Sequence, residues 1–342
     1  SNAYRDLELN FFWYRNRPHT ILDAINLFCR DHENGSNHST DSPLRMLDTF
    51  SSAIAYLGTY LNRGGYTFDF VNSFQDERDA LAEKLQKDNI LTVAVITTLY
   101  ISEFPITEIV DFIRAHNTTA TIVVGGPYIF NKACSMDSDQ LDYLFLHTIG
   151  ADVYVDSTQG ETTLVRIIDA LKNGSPLHSV PNIYFPENGR MTVTAKETEN
   201  NPLAENMVDY SLFRNQIGKH IATRTSISCP FSCAFCGSPV NAGKYQTVGV
   251  DSLEKEFDQL EQLESLRSVH IVDDTFNVPA ERFKEILKMM IRNKYTFQWH
   301  SHFRCQFADR EMVELMKESG CMGVFLGIES GSDTVLKNMN KV

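Results

Sequence analysis

Cys229-Pro230-Phe231-Ser232-Cys233-Ala234-Phe235-Cys236-Gly237 places three of the chain's seven cysteines on one short segment. The other four, Cys29, Cys134, Cys305 and Cys321, are solitary. An odd count with one tight C-x3-C-x2-C cluster speaks against a disulfide framework and for a chemical use of the cluster. Three thiolates on one loop can each ligate a different iron of a [4Fe–4S] cube, leaving the fourth iron without a protein ligand. Zinc is the first alternative, but a structural zinc site closes with four ligands, and neither a His nor a fourth Cys lies within the loop. A redox pair of Cys233 with Cys236 is the second, and it leaves Cys229 unexplained.

Around this loop the chain alternates β-rich and helix-periodic segments. An apolar run from Ile221 reads as a strand to Ser228. Beyond the loop, helices are expected over 253–263, 280–291 and 309–318, and strands over 268–272, 296–301 and 323–328. Upstream, apolar runs at 67–71, 91–97, 121–124 and 152–155 read as strands. Ile106, Ile109, Val110 and Ile113 share one helical face, as do Leu164, Ile167, Ile168 and Leu171. Continuous apolar strands, each followed by a helix, imply a parallel sheet covered on both faces. The fold class is therefore α/β: an N-terminal doubly wound parallel sheet followed by a partial βα barrel.

The expected boundaries are residues 1–3 as a cloning scar, 4–180 as the first domain, 181–219 as hairpin and linker, and 220–342 as the partial barrel. A polar loop at 34–42 precedes a helix over 44–63 that stops at Gly64-Gly65. The hairpin is expected over 182–185 and 191–195, around Glu187-Asn188-Gly189, with a polar linker over 197–214. After Cys229 there is room for three to four βα units of about 30 residues each. A six-unit barrel would need more, so the expectation is an exposed barrel edge and no activity from these residues alone.

The chain has 342 residues, a net charge of −13, 42% hydrophobic residues and 22% charged residues. This acidic balance argues against a broad nucleic-acid or anionic-membrane footprint, which rests on clustered Lys and Arg. No run of 18 apolar residues is present to span a bilayer. Ser1-Asn2-Ala3 lacks the charged and apolar regions of a signal peptide. The expectation is a cytoplasmic protein with reduced thiols and a small-molecule partner.

With Phe235 before the last cysteine, the triplet resembles the C-x3-C-x-aromatic-C signature of the radical S-adenosylmethionine (radical SAM) superfamily. The resemblance implies a (β/α)6 barrel whose [4Fe–4S] cluster, bound by Cys229, Cys233 and Cys236, chelates SAM through its open iron. One electron, from a flavodoxin- or ferredoxin-type donor, then cleaves the sulfonium to give a 5′-deoxyadenosyl radical. Phe235 would lie near the adenine. Asp273 or Asp274 would hold the SAM ammonium, in place of the Gly-Gly-Glu version of that motif, or would simply cap the next helix. His300, His302 and Arg304 alternate onto one strand face, with Arg304 placed to meet the SAM carboxylate. Gly327-Ile328-Glu329-Ser330-Gly331 is similar to the ribose-contacting segment, so Glu329 and Ser330 join the site.

In the first domain, Thr97-Thr98, Gly125-Gly126-Pro127 and Gln159-Gly160-Glu161 occupy the carboxyl ends of strands, where ligands of open α/β sheets bind. The Gly pair permits close backbone approach and serves equally as a strand-to-helix turn. Before a radical SAM barrel, these phrases resemble the cobalamin-binding domain of class B radical SAM methyltransferases. An Asp-x-His-x-x-Gly motif is absent, since Asp31-His32-Glu33-Asn34-Gly35 lacks the spacing, so no lower histidine ligand is implied. The wording of 4–10, 56–75 and 304–320 is similar to the phosphinate P-methyltransferase subgroup.

The implied function is transfer of methyl from methylcobalamin to an unactivated centre of a small biosynthetic intermediate, including phosphinate phosphorus in that subgroup, with a second SAM renewing the donor. A radical SAM rearrangement or cyclisation, with a merely structural first domain, is the alternative within the same class. A non-catalytic cobalamin or Fe–S sensor or carrier is the alternative from another class. The acidic balance and the absence of a basic appended domain speak against a nucleic-acid methylthiolase.

Overall fold

The computed structural model describes residues 12–14, 16–19, 26–27, 49–87 and 89–341. The expected loop at 34–42 and the segment 31–35 lie outside the described residues, as do 44–48 of the expected first helix. Two compact units are present, one built mainly from Asp69–Glu199 and the other from Thr49–Phe68 with Asn200–Val342.

The first unit is a five-stranded sheet. Thr92–Ile96, Thr121–Gly125 and Val153–Val155 run parallel in that order, and Ile183–Glu187 and Arg190–Val193 continue it antiparallel. Ile122, Val124 and Tyr154 face one core, which they share with Ile106, Ile109, Val110 and Ile113 of the helix Phe104–His116. Val123, Val153 and Val155 alternate onto the opposite face and are buried as well. Burial on both faces is what the uninterrupted apolar strands require. The described strands follow chain order, so the reversal that defines double winding is not among them.

Three expectations shift here. The hairpin forms, but it extends this sheet, so the boundary expected at residue 180 falls inside the first unit. Residues 67–71 are not a strand; the half-buried Phe68 ring packs on the buried Phe213, centroids 5.9 Å apart. The helix Ser52–Arg63 starts after a short strand, Thr49–Phe50, with the Ser51 side chain capping its first turn. The linker over 197–214 contains two short 3-10 turns, Leu203–Glu205 and Tyr210–Phe213.

The second unit is a five-stranded parallel sheet ordered Cys321–Leu326, Gln298–Phe303, Ser268–Ile271, His220–Thr223, Thr49–Phe50. The helices Val250–Glu261, Ala280–Asn293 and Arg310–Glu318 alternate with these strands, as the βα pattern predicts. Their apolar stripes, including Leu253, Phe257, Phe283, Ile286, Leu287 and Met312, are buried. Trp299, Ser301 and Phe303 are buried on one face of their strand, whereas His300 and His302 alternate onto the half-open other face. The strand expected to reach Ser228 ends at Thr223, and Ser226–Ile227 pairs instead with Gln246–Thr247. Cys321–Leu326 is an edge strand, and Met322, Phe325 and Leu326 on it are exposed. No helix among the described residues is long and apolar enough to cross a membrane.

Candidate functional site

In the second unit the cysteine loop leaves the sheet through Ser228, a buried residue with φ of 66°. Cys229 and Cys233 are half-buried and Cys236 is exposed, all as free thiols. Cys229 Sγ lies 3.4 Å from Thr275 Oγ1, beyond the strand Ser268–Ile271. No group of three or more His, Cys, Asp or Glu side chains among the described residues is gathered tightly enough for one metal ion. A cube makes a different demand, since each thiolate takes its own iron and the three need not converge on a point.

Beside this loop lies Arg304, 5% exposed, whose backbone is bonded on both sides by the Asn277 side chain, at 2.9 Å each. Its guanidinium stacks 3.7 Å from the Phe231 ring centroid, and Phe231 belongs to the cysteine loop. Its Nε and Nη2 are buried and have no hydrogen-bond partner. A buried guanidinium left unpaired is costly unless an anion meets it. The carboxylate of a SAM molecule fits that requirement, because the guanidinium fork matches a carboxylate bidentately.

The two adjacent aspartates separate clearly. The Asp273 carboxylate is buried and accepts from Thr225 N at 2.6 Å, Thr225 Oγ1 at 2.5 Å and Ser226 N at 2.9 Å. It ties the start of the cysteine segment to the neighbouring strand and has little capacity left for an ammonium group. Burial raises its pKa, against the lowering effect of these bonds. Asp274 is exposed and accepts from Ser238 Oγ at 2.5 Å. Neither aspartate acts as a side-chain cap for helix Ala280–Asn293. Of the two, Asp274 is the carboxylate that remains accessible to a ligand.

Phe235 is 54% exposed. Lys341 Nζ sits 5.6 Å from its ring centroid and pairs with Glu329 at 2.7 Å, and Glu329 has a left-handed φ of 58°. Ser330 Oγ accepts from Ser332 N at 3.1 Å. Ala234 N donates to Met339 O at 2.9 Å, and Asn340 Nδ2 donates to Ser232 O at 2.9 Å. The segment 327–341 and the cysteine loop are therefore joined directly. His302 Nδ1 lies 3.2 Å from the Asp273 carbonyl oxygen. Sequence reading missed Phe231, Thr275, Asn277 and Lys341. Phe231 was legible from its place inside the triplet, whereas the others are defined only by tertiary contacts.

Behind this sheet Glu256, 1% exposed, accepts from Tyr210 Oη at 3.0 Å and from Thr223 Oγ1, while its Oε2 has no partner. Burial pushes this carboxyl up to about 7 despite those bonds.

In the first unit Thr97 is fully buried. Its Oγ1 donates to Gly125 O at 2.9 Å and accepts from Tyr128 N at 3.2 Å. Gly126 has φ of 111°, and a Cβ there would lie 2.8 Å from Thr97 Oγ1. The turn itself thus demands this glycine. Pro127 begins the helix Pro127–Ser135, and Gly160, with φ of 90°, precedes the helix Glu161–Asn173. Gln159 N donates weakly to Ser157 Oγ at 3.4 Å. Thr98 is exposed, and so are Leu99 and Ile101, at 72% and 67%. Side-chain-free backbone beside open apolar residues suits a large, mostly apolar planar group such as a corrin ring. No histidine is part of this set.

Residues 224–342, which hold the three-cysteine loop and the unpaired arginine at the carboxyl end of the parallel βα sheet, match the family model described as the Radical SAM superfamily. An uncharacterized methyltransferase of Pyrococcus horikoshii is 27% identical over 196 residues, 54% of this chain and 41% of the relative. The anaerobic magnesium-protoporphyrin IX monomethyl ester cyclase of Cereibacter sphaeroides is 22% identical over 314 residues, 84% of this chain and 48% of the relative. Among solved structures, the radical SAM methyltransferase TsrM of Kitasatospora setae, with cobalamin and a [4Fe–4S] cluster bound, gives a TM-score of 0.63 at 18% identity. That match covers 84% of this chain and 57% of TsrM. The chain spans less than half the length of these two curated relatives, and the fold it shares with TsrM includes both units.

Proposed function

We propose that this chain carries the cofactor-binding part of a cobalamin-dependent radical SAM methyltransferase acting on a small molecule. The observation that carries the reading is the buried Arg304 guanidinium, unpartnered at two nitrogens and stacked on the cysteine loop. In this reading Cys229, Cys233 and Cys236 hold the cluster, Arg304 and Asp274 hold the two charged groups of SAM, and Phe235 with Glu329 and Ser330 flank its nucleoside. Phe231 holds the guanidinium against the loop and excludes water from one side of it. Thr97, Thr98, Gly125, Gly126, Pro127, Gln159, Gly160 and Glu161 form the cobalamin edge, where the glycines admit the ring and the Thr97 bonds fix the turn. When bound, cluster and SAM supply one-electron cleavage of the sulfonium, and cobalamin supplies a transferable methyl group. The acceptor we favour is an unactivated centre of a biosynthetic intermediate, with phosphinate phosphorus as the specific case, in the cytoplasm and with a flavodoxin or ferredoxin as electron donor.

Anaerobic reconstitution with iron and sulfide tests the reading, with about four irons per chain expected. Titration with hydroxocobalamin, followed by its visible spectrum, should saturate at one equivalent. Tight zinc without sulfide would overturn the cluster assignment, and no saturable cobalamin spectrum would overturn the first-unit assignment. The likeness to the cyclase favours a second reading, a non-methylating rearrangement or cyclisation. Formation of 5′-deoxyadenosine without S-adenosylhomocysteine selects it.

A further inference from the structure

The half-open face of the second sheet carries an unusual row of imidazoles. His270 and His300 are directly paired in register on adjacent parallel strands, and their rings stack with centroids 4.4 Å apart and an interplanar angle of 14°. His302, two residues further along the same strand, lies 5.6 Å from His270 by ring centroid and packs edge-on against Phe325 at 5.7 Å. His220, on the next strand, completes the row, with its Nδ1 2.8 Å from Ser268 Oγ. All four are half-buried. A satisfied core would use apolar side chains on this face, as Trp299 and Phe303 do on the other.

We propose that His270, His300 and His302 form a binding surface for an oxyanion group of the small-molecule substrate, phosphorus-centred or carboxylate. The inference rests on the reading of this domain as a substrate-transforming one and adds the substrate's chemical class. Stacked rings place several N–H groups on a short arc, and these can converge on one tetrahedral or planar anion. His302 Nδ1 donates to the Asp273 carbonyl oxygen, so its Nε2 is the ring nitrogen left to face a ligand.

The surroundings set the direction of the effect. Burial pushes His270 down to about 4, helped by His300 and His302, and burial lowers His300 with help from His220 and His302. The Asp273 carboxylate is engaged with Thr225 and Ser226, so the charged influences on the row come from its own members. His270 and His300 are thus held toward the neutral form in the empty row, and mutual repulsion opposes charging both. An anion offsets both effects and raises the ring pKa values in the complex, so binding takes up protons. Affinity therefore tightens as pH falls, by up to about tenfold per pH unit for each proton linked.

The test uses the 342-residue chain without cluster, SAM or cobalamin, so failure of cofactor loading leaves the measurement intact and failure here leaves the cofactor assignments intact. Methylphosphinate, inorganic phosphate and acetate are titrated between pH 6 and pH 8 while the histidine ring resonances are followed, with glycerol as the neutral control. Expected are saturable shifts confined to His270, His300 and His302, tighter at pH 6 than at pH 8, for at least one anion and none for glycerol. The anion that binds best identifies phosphorus or carboxylate as the source. His300→Phe keeps a stacked ring without its N–H groups and should weaken binding about tenfold. If that variant fails to fold, His302→Gln, which keeps one polar group, should weaken binding by a similar factor. Absence of saturable shifts at pH 6 in the folded protein, or unchanged affinity in a folded variant, overturns the proposal.

Discussion

The carboxyl ends of the parallel strands in the two sheets treat their polar groups differently. At the first edge, Thr97 is bonded to its own turn, and the buried Asp156 pairs with Lys196 through Oδ2, although its Oδ1 has no hydrogen-bond partner. What the first edge leaves open is glycine backbone and exposed apolar side chains, Leu99 and Ile101. At the second edge, Arg304 is buried with unpaired nitrogens, and Asp274 is exposed and accepts from the Ser238 hydroxyl. An edge whose charged group is matched by a counter-charge and whose open surface is apolar suits a ligand held by shape and apolar contact. An edge that buries an unpaired charge suits a small charged ligand held by a few strong bonds.

The sharpest way to break this contrast is at the cysteines. Replacing Cys229, Cys233 and Cys236 together by Ala should reduce reconstituted iron from about four per chain to near zero, while Cys134→Ala and Cys305→Ala leave it unchanged, read by iron and sulfide assay. Gly126→Ala comes next. A side chain at φ of 111° that also meets Thr97 Oγ1 should destabilise the first unit by roughly 3 kcal/mol. Chemical unfolding should show an earlier transition in the first unit, with cluster loading retained. A variant as stable as the parent would mean that the turn tolerates a Cβ and that the glycine serves only a ligand.

The third prediction concerns pH. Glu256 has a folded pKa of about 7, above its ordinary 4.5, so the folded protein holds its proton more tightly than the unfolded chain does. Its contribution is complete below pH 4.5 and is lost as pH rises through 7, amounting to about 2 to 3 kcal/mol between pH 5 and pH 8. Glu256→Gln should flatten that slope in urea titrations of the second unit, and an unchanged slope would contradict the assignment. The smallest effect is expected at Arg304. Arg304→Met should weaken SAM binding about tenfold or more, measured by calorimetry on the cluster-loaded protein, and should raise the melting temperature slightly because an unpaired buried charge is removed. A fall in melting temperature would show that the guanidinium is paired in the ligand-free protein.

Much of the fold was legible because periodicity maps directly onto burial. Ile106, Ile109, Val110 and Ile113 form one buried stripe, and the strands 121–125 and 153–155 are apolar on both faces because both are covered. The run 67–71 misled because an apolar stretch fits a packed turn as well as a strand, and only Phe213 decides which. The helices Arg78–Leu85 and Pro127–Ser135 went unread, the first with Leu85 as its only buried residue and the second with a broken apolar stripe. In the site, cysteine spacing and the alternation of His300, His302 and Arg304 carried chemistry that the sequence displays. The division of labour between Asp273 and Asp274 did not, because adjacent carboxylates look alike until the Thr225 and Ser226 amides select one of them.

The strand Thr49–Phe50 and the helix Ser52–Arg63 belong to the second unit, although the whole of 69–199 intervenes before their partners. Synthesis from the N-terminus therefore delivers this edge strand long before His220 and Ile221, its pairing residues, exist. The first unit can close on its own while Phe50 and Tyr56 wait, apolar and uncovered, for Phe213 and the strand beyond it. Translation speed across 69–199 thus sets how long that surface is open to chaperones and to aggregation. A gene fragment that begins at residue 200 would express the cysteine loop on a sheet missing the strand that shields Ile221, and would lose solubility before any cofactor chemistry could be measured.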